Sequence, residues 1–188
     1  MKHIIFFVGA LACLSTPIVA ENPQQAFVKA WTGQTVLVKS PLYSLIFNER
    51  GALGNMKSGE REGLLLVTPS SGSTLQFNGR QGRDTVNASD PQQLVDKVRE
   101  TYAPDALEIR SYRKVEPLAI NRFEQGVELV VSAVRIGRDE VTLEFVQPGG
   151  GTEALTSLRA KWPLPFSKSF TERPLVDDLL RRYVQQKQ

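Results

Sequence analysis

The sequence predicts a β-rich α+β single domain: a strongly bent, mostly antiparallel sheet, or a partly open barrel, of about eight strands with two covering helices. Three observations carry that expectation. The stretch from Gly126 to Val146 holds two apolar-patterned runs separated by Gly137-Arg138-Asp139, as a hairpin would. Connections between apolar runs are short, which favours antiparallel neighbours. Two segments, 90–102 and 172–184, repeat apolar residues at helical spacing behind a capping residue.

Residues 1–20 read as a secretory signal peptide. Lys2 and His3 precede an apolar core from Ile4 to Leu14, and Ala20 offers a small residue for cleavage between Ala20 and Glu21. The apolar run falls short of the ~18 residues that a membrane span needs. The alternative is a lipid anchor through Cys13, although Ala10 stands where a larger apolar residue is usual. Residues 21–188 are enough for one domain with a real core. They hold no second apolar stretch of membrane-spanning length.

In chain order, Asn22-Pro23 followed by Gln25 resembles a helix start, with Phe27 and Trp31 one turn apart and Gly33 as a stop. Strands are expected at 35–39, 42–47, 63–68 and 73–77, separated by turn residues, with 56–62 as a polar loop. Asp90 precedes Pro91, so it is pushed out of helical geometry and suits a cap. Behind it Leu94, Val95, Val98 and Tyr102 form one apolar stripe. Residues 107–112 and 118–123 alternate as strands.

The central hairpin comes next. Val127, Leu129, Val131 and Ala133 share one parity, and Val130, Val134 and Ile136 the other. That pattern predicts a central strand covered on both faces. Val141, Leu143 and Phe145 alternate with Glu140, Thr142 and Glu144, so the second strand has one wet face. Gly149-Gly150-Gly151 is a loop, and Ala154 to Trp162 a last strand. Pro163 to Phe170 is an extended linker. The final helix, about 172–184, has Thr171 as cap, an apolar stripe, and expected ion pairs Asp177–Arg181 and Asp178–Arg182.

The chemistry is bounded by what is missing. The one Cys and the one His are Cys13 and His3, both in the expected signal peptide. The remaining chain therefore has no disulfide, no thiolate nucleophile, no histidine base and no Cys/His metal site. No cofactor is expected. The formal charge is +3, about +2 without Lys2, and the bases are interleaved with acids, which argues against nucleic acid as a partner.

Short motifs read as chance. Ser111-Tyr112-Arg113-Lys114 has the spacing of a serine nucleophile with a lysine base, but sits at a strand end without the accompanying Lys-Thr-Gly. Glu49, Glu60, Glu62 and Asp84 fall in expected loops and could supply a carboxylate pair, although solvated acids are the plainer account. Asn87-Ala88-Ser89 is a glycosylation sequon that matters only in a eukaryotic host. Trp162, Phe166 and Phe170 flank two prolines and form a candidate contact surface, against the simpler expectation that they seal the core.

Taken together, the sequence favours a secreted or periplasmic, non-enzymatic domain that binds a protein or wall component of the cell envelope. One alternative is a carrier holding a small apolar ligand inside the curved sheet. Another is a carboxylate-based glycan hydrolase. The first calls for a filled core, the second for an apolar cavity, and the third for two acids about 5–10 Å apart in a cleft.

Overall fold

The computed structural model describes residues 21–50, 56–70, 72–78, 85–101, 114–151 and 153–187. Its helices are α1 (Pro23–Trp31), α2 (Pro91–Thr101) and α3 (Arg173–Arg181). The first six strands are β1 (Thr35–Val38), β2 (Leu42–Arg50), β3 (Met56–Gly63), β4 (Leu65–Thr68), β5 (Gly72–Asn78) and β6 (Thr85–Ala88). The others are β7 (Lys114–Phe123), β8 (Glu128–Ile136), β9 (Glu140–Val146), β10 (Thr156–Lys161) and β11 (Val184–Gln186).

An eight-stranded sheet runs β11-β1-β8-β9-β10-β4-β5-β6, and a three-stranded sheet runs β3-β2-β7. The outer strands of the large sheet do not pair with each other, so the fold is the open, bent sheet and not a barrel. Every pairing in the large sheet is antiparallel except β10 with β4.

Alternation explains the core. Registers align Val134, Leu143, Leu158, Leu65, Leu75 and Ala88 in one row across six strands. Partners in a ladder share a face, so the row builds a continuous apolar surface. Phe27 and Trp31 of α1, Leu94 and Val98 of α2, and Val176 and Leu180 of α3 join these strands in one buried cluster.

The hairpin β8–β9 departs from expectation in an instructive way. Val131 pairs with Phe145 but Ala133 pairs with Glu144, so Ser132 is an extra residue in a β-bulge. Its hydroxyl donates to the Glu144 carbonyl at 3.2 Å. The extra residue changes the parity of the strand. Leu129 and Val131 before it, and Val134 and Ile136 after it, therefore face the same core. The run that reads as apolar on both faces is one apolar face interrupted once. On the other face Val130 and Ala133 are half-buried, and Ser132 and Arg135 are exposed. The strand is still interior, held by β1 on one side and β9 on the other.

Residues 56–62, expected to be a polar loop, form most of β3. Their sequence lacks apolar alternation, and the pairing with β2 supplies the order. As an edge strand β3 can carry the charge that an interior strand could not. β6 and β11 are likewise additional to the expected strands. Tyr102 and the expected strand at 107–112 lie outside the described residues.

The two sheets meet at a crowded joint. A methyl group on Gly63 would stand 2.1 Å from the backbone nitrogen of Ser157 on β10, so only glycine lets β3 pass this close. Leu64 then carries the chain from one sheet to the other. Its N–H donates to Tyr43 O at 2.9 Å and its carbonyl accepts from Gln76 N–H at 2.7 Å.

Both early helices start as their sequences predict. Asn22 Oδ1 accepts from Gln24 N–H at 2.9 Å, and Asp90 Oδ1 accepts from the N–H groups of Gln92 and Gln93. Each cap is worth ~1 kcal/mol. The last helix is shorter than expected. It ends at Arg181, and Val184–Gln186 instead pairs with β1, covering an edge that would otherwise be bare.

Thr171 is not its cap: the N-cap position falls at Glu172, which makes no capping bond. The expected Asp177–Arg181 pair is also replaced. Asp177 accepts from Trp31 Nε1–H at 2.7 Å and lies 3.7 Å from Arg173, because a buried indole N–H needs an acceptor. Arg181 lies over the Trp31 ring at 5.6 Å instead. Among the described residues Asp178 and Arg182 form no ion pair.

Candidate functional site

The feature of the surface that most resembles a ligand seat is a cleft of about 360 Å³. Distant parts of the chain form its walls. Ser40 and Pro41 come from the β1–β2 turn, and Tyr43 from β2. Ser73 and Thr74 come from β5. Ser89 comes from the β6–α2 connection and Pro91 from the start of α2, and Arg182 and Tyr183 come from the α3–β11 turn. The floor is Leu65 and Leu75, a cross-strand pair that belongs to the core.

Backbone bonds fix the walls. The Tyr183 carbonyl accepts from Lys39 N–H at 2.7 Å and from Ser40 N–H at 3.3 Å, tying the α3–β11 turn to the β1–β2 turn. Lys39 Nζ donates to the Arg181 carbonyl at 3.1 Å and reinforces the tie. Asp90 caps α2 and so fixes Ser89 and Pro91 on either side of it.

Six of the lining side chains carry hydroxyls: Ser40, Tyr43, Ser73, Thr74, Ser89 and Tyr183. Among the described residues none of these hydroxyls makes a hydrogen bond within the protein. Each can donate and accept. Arg182 is the charged group of the lining, and its guanidinium has no acidic partner among the described residues. No carboxylate lines the cleft among the described residues. The arrangement can hold a polar molecule by many hydrogen bonds over an apolar floor, and it offers no evident nucleophile–base pair.

A second depression, about 720 Å³, runs along the exposed side of α1 between Gln25, Val28 and Thr32 and the end of β8 at Ile136. It is lined almost entirely by one helix, so it lacks the convergence of separate elements that marks the cleft.

The aromatic candidates occupy graded positions. Phe170 is 2% exposed and meets Phe27 edge-on, with ring centroids 5.4 Å apart. Phe166 contacts Phe170 edge-on at 5.2 Å and Trp162 at 5.9 Å. Trp162 and Phe166 are half-buried against the core. Between them Leu164 is 71% exposed. Phe170 has φ +47°, a left-handed conformation that costs a non-glycine residue ~1–2 kcal/mol.

A turn network offsets that cost. Phe170 N–H donates to Ser167 O at 2.9 Å, Thr171 N–H donates to Ser167 Oγ at 3.0 Å, and Ser167 Oγ donates to the Glu172 carboxylate at 2.9 Å. The Glu172 carboxyl is held below its ordinary value of 4.5. Its own backbone N–H lowers it most, the Ser167 hydroxyl and amide and the Thr171 hydroxyl add to that, and desolvation opposes them.

The remaining sequence candidates are not brought together. Glu49 lies in β2 and Glu60 and Glu62 in β3, so they belong to strands and not to loops. Asp84 and Ser111 lie outside the described residues, and Lys114 opens β7. Asn87 lies in β6, where its Oδ1 accepts from Gln76 Nε2–H at 3.0 Å. The expected cleavage site and Cys13 also lie outside the described residues. Among the described residues no cluster of His, Cys, Asp and Glu could hold a metal ion, and no helix is long and apolar enough to cross a membrane.

Nothing in the sequence marks the cleft residues. Serines, a threonine and tyrosines scattered from Ser40 to Tyr183 carry no spacing signal, and only the sheet order brings them together.

Fold and site thus define a class: an α+β domain with an open sheet and a hydroxyl-lined surface cleft. No family model, no curated protein and no solved structure matches the chain.

Proposed function

We propose that the chain is an exported, non-enzymatic domain that binds a small polar component of the cell envelope in the cleft between β5, α2 and the α3–β11 turn. One observation carries the reading. Six hydroxyl-bearing residues whose hydroxyls have no protein partner among the described residues, together with Arg182, line one cleft that also has apolar lining from Leu65 and Leu75. Polar groups placed this way favour a ligand that brings its own donors and acceptors.

The rival readings have less to stand on. Large side chains such as Trp31, Phe77 and Phe145 fill the core face of the sheet, so an apolar cargo held there would have to displace them. A carboxylate-based hydrolase needs paired acids, and none lines this cleft among the described residues.

Native mass spectrometry of protein purified from its own host, beside a Thr74→Trp variant, tests the proposal. The variant puts a large ring at a half-buried residue of the lining. A bound molecule that is present on the parent and lost from the variant is the expected result. A bound molecule retained equally by both would move the binding site elsewhere.

A further inference from the structure

We propose that the ligand of this cleft is a hydroxylated anion, such as a sugar acid or sugar phosphate, with its charged group held by Arg182. The inference rests on the cleft being a ligand seat and goes on to name the chemistry it selects. Arg182 is exposed, lines the cleft, and has no partner among the described residues. A guanidinium offers a planar fork of donors that fits a carboxylate or a phosphate.

Charges of both signs lie near the cleft, and among the described residues Arg182 is the charged one that lines it. Lys39, next to Ser40, adds a second positive group where it binds the Arg181 carbonyl. Arg122, above the Tyr43 ring at 5.9 Å, is already paired with Glu124 at 3.1 Å, so among the described residues Arg182 is the cation left unengaged at the cleft. Asp178, one turn before Arg182, makes no ion pair with it. Asp90 lies between two lining residues, but its Oδ1 accepts from the first turn of α2. That cap also occupies the free N–H groups of the helix, so the anion is recognised by the side chain of Arg182 and not by the helix end.

The hydroxyls supply the rest of the recognition. Ser73 and Thr74 come from β5 and Ser89 from the β6–α2 connection, while Ser40 and Tyr183 come from the turns that follow β1 and α3. Hydroxyls that both donate and accept match a ligand studded with hydroxyls of its own. A volume of about 360 Å³ suits a molecule of sugar size and lies near the small end of known ligand cavities.

The test is a titration of the 15N-labelled full chain, followed by amide chemical shifts, at constant ionic strength. The probes are sodium glucuronate, glucose 6-phosphate, glucose and inorganic phosphate. Glucuronate or glucose 6-phosphate should shift the amides of Ser73, Thr74, Ser89 and Tyr183. The better of these two should bind at least about tenfold more tightly than glucose, the weight of one charge-assisted hydrogen bond. Which of the two wins identifies a carboxylate or a phosphate as the natural anion. Arg182→Gln should remove the advantage over glucose, and Arg182→Lys should keep part of it.

Glucose binding as tightly as both acids would overturn the anion while leaving the cleft as a seat. Inorganic phosphate binding as tightly as the sugar acids would overturn the role of the hydroxyls. Shifts from all four probes confined to other surfaces, or no shifts at all, would overturn both this inference and the proposed function.

Discussion

Deleting one residue from β8 should be nearly harmless or severely damaging, depending on which residue is removed. Ser132 is the extra residue of the bulge, between Val131, paired with Phe145, and Ala133, paired with Glu144. Removing Ser132 closes the bulge and leaves an unbroken alternation in which Leu129, Val131, Val134 and Ile136 all still face the core. The loss is its hydrogen bond to the Glu144 carbonyl, together with some local twist, about 1 kcal/mol. Removing Val131 instead closes the same bulge by drawing Ser132 into the slot opposite Phe145. Val131 is 0% exposed, so its lost burial costs ~1.5–3 kcal/mol. Burying a serine hydroxyl there adds ~1–3 kcal/mol. The two deletions shorten the chain equally, yet their costs should differ by at least ~1.5 kcal/mol, the low end of the second sum less the first. Urea unfolding measures this directly. With a slope of ~1–3 kcal/mol/M, the midpoint should fall by at least about 0.5 M further for the Val131 deletion. Equal loss of stability in both variants would refute the bulge as the cause of the strand's parity change.

Three further outcomes rest on the geometry. Gly63→Ala forces a methyl group to 2.1 Å from Ser157 N, so the joint between sheets must shift; a loss of about 1–3 kcal/mol or more is expected in thermal unfolding. Ser44 Oγ is fully buried and has no hydrogen-bond partner among the described residues, so Ser44→Ala removes an unsatisfied group at no cost in bonding and should leave stability unchanged or raise it by up to about 1 kcal/mol, measured as a urea midpoint. Glu172 has a folded value below its ordinary 4.5, so its ionised form stabilises the fold above that value and the contribution is lost as pH falls through the folded value. Glu172→Gln should therefore be less stable than the parent near neutrality, and the two curves should converge in acid when unfolding is followed against pH.

The sequence was readable where a local rule decides the outcome. Asn22 and Asp90 cap the helices that their following residues imply, because cap chemistry involves neighbours two or three positions away. The alternation of Val141, Leu143 and Phe145 likewise places a core face directly. It failed where distant partners decide. Residues 56–62 look like a loop until β2 is alongside them. Asp177 turns away from Arg181 because Trp31, from another helix, reaches it first. The stretch after Arg181 leaves the helix because β1 has an open edge. The phase change at Ser132 was visible as apolar residues of both parities, but a bulge and a doubly covered strand leave the same trace. The cleft is the extreme case, since its hydroxyls come from separate connections and strands and none is informative alone.

A crystal structure of the protein purified from its own host, without added ligand, would test the central claim most directly. The account predicts electron density for a polar molecule in the cleft, hydrogen-bonded to hydroxyls of Tyr43, Ser73 or Thr74 and in contact with the Arg182 guanidinium. Density for a tightly held molecule along α1, or against Leu164 and Trp162, with the cleft holding only solvent, would contradict it.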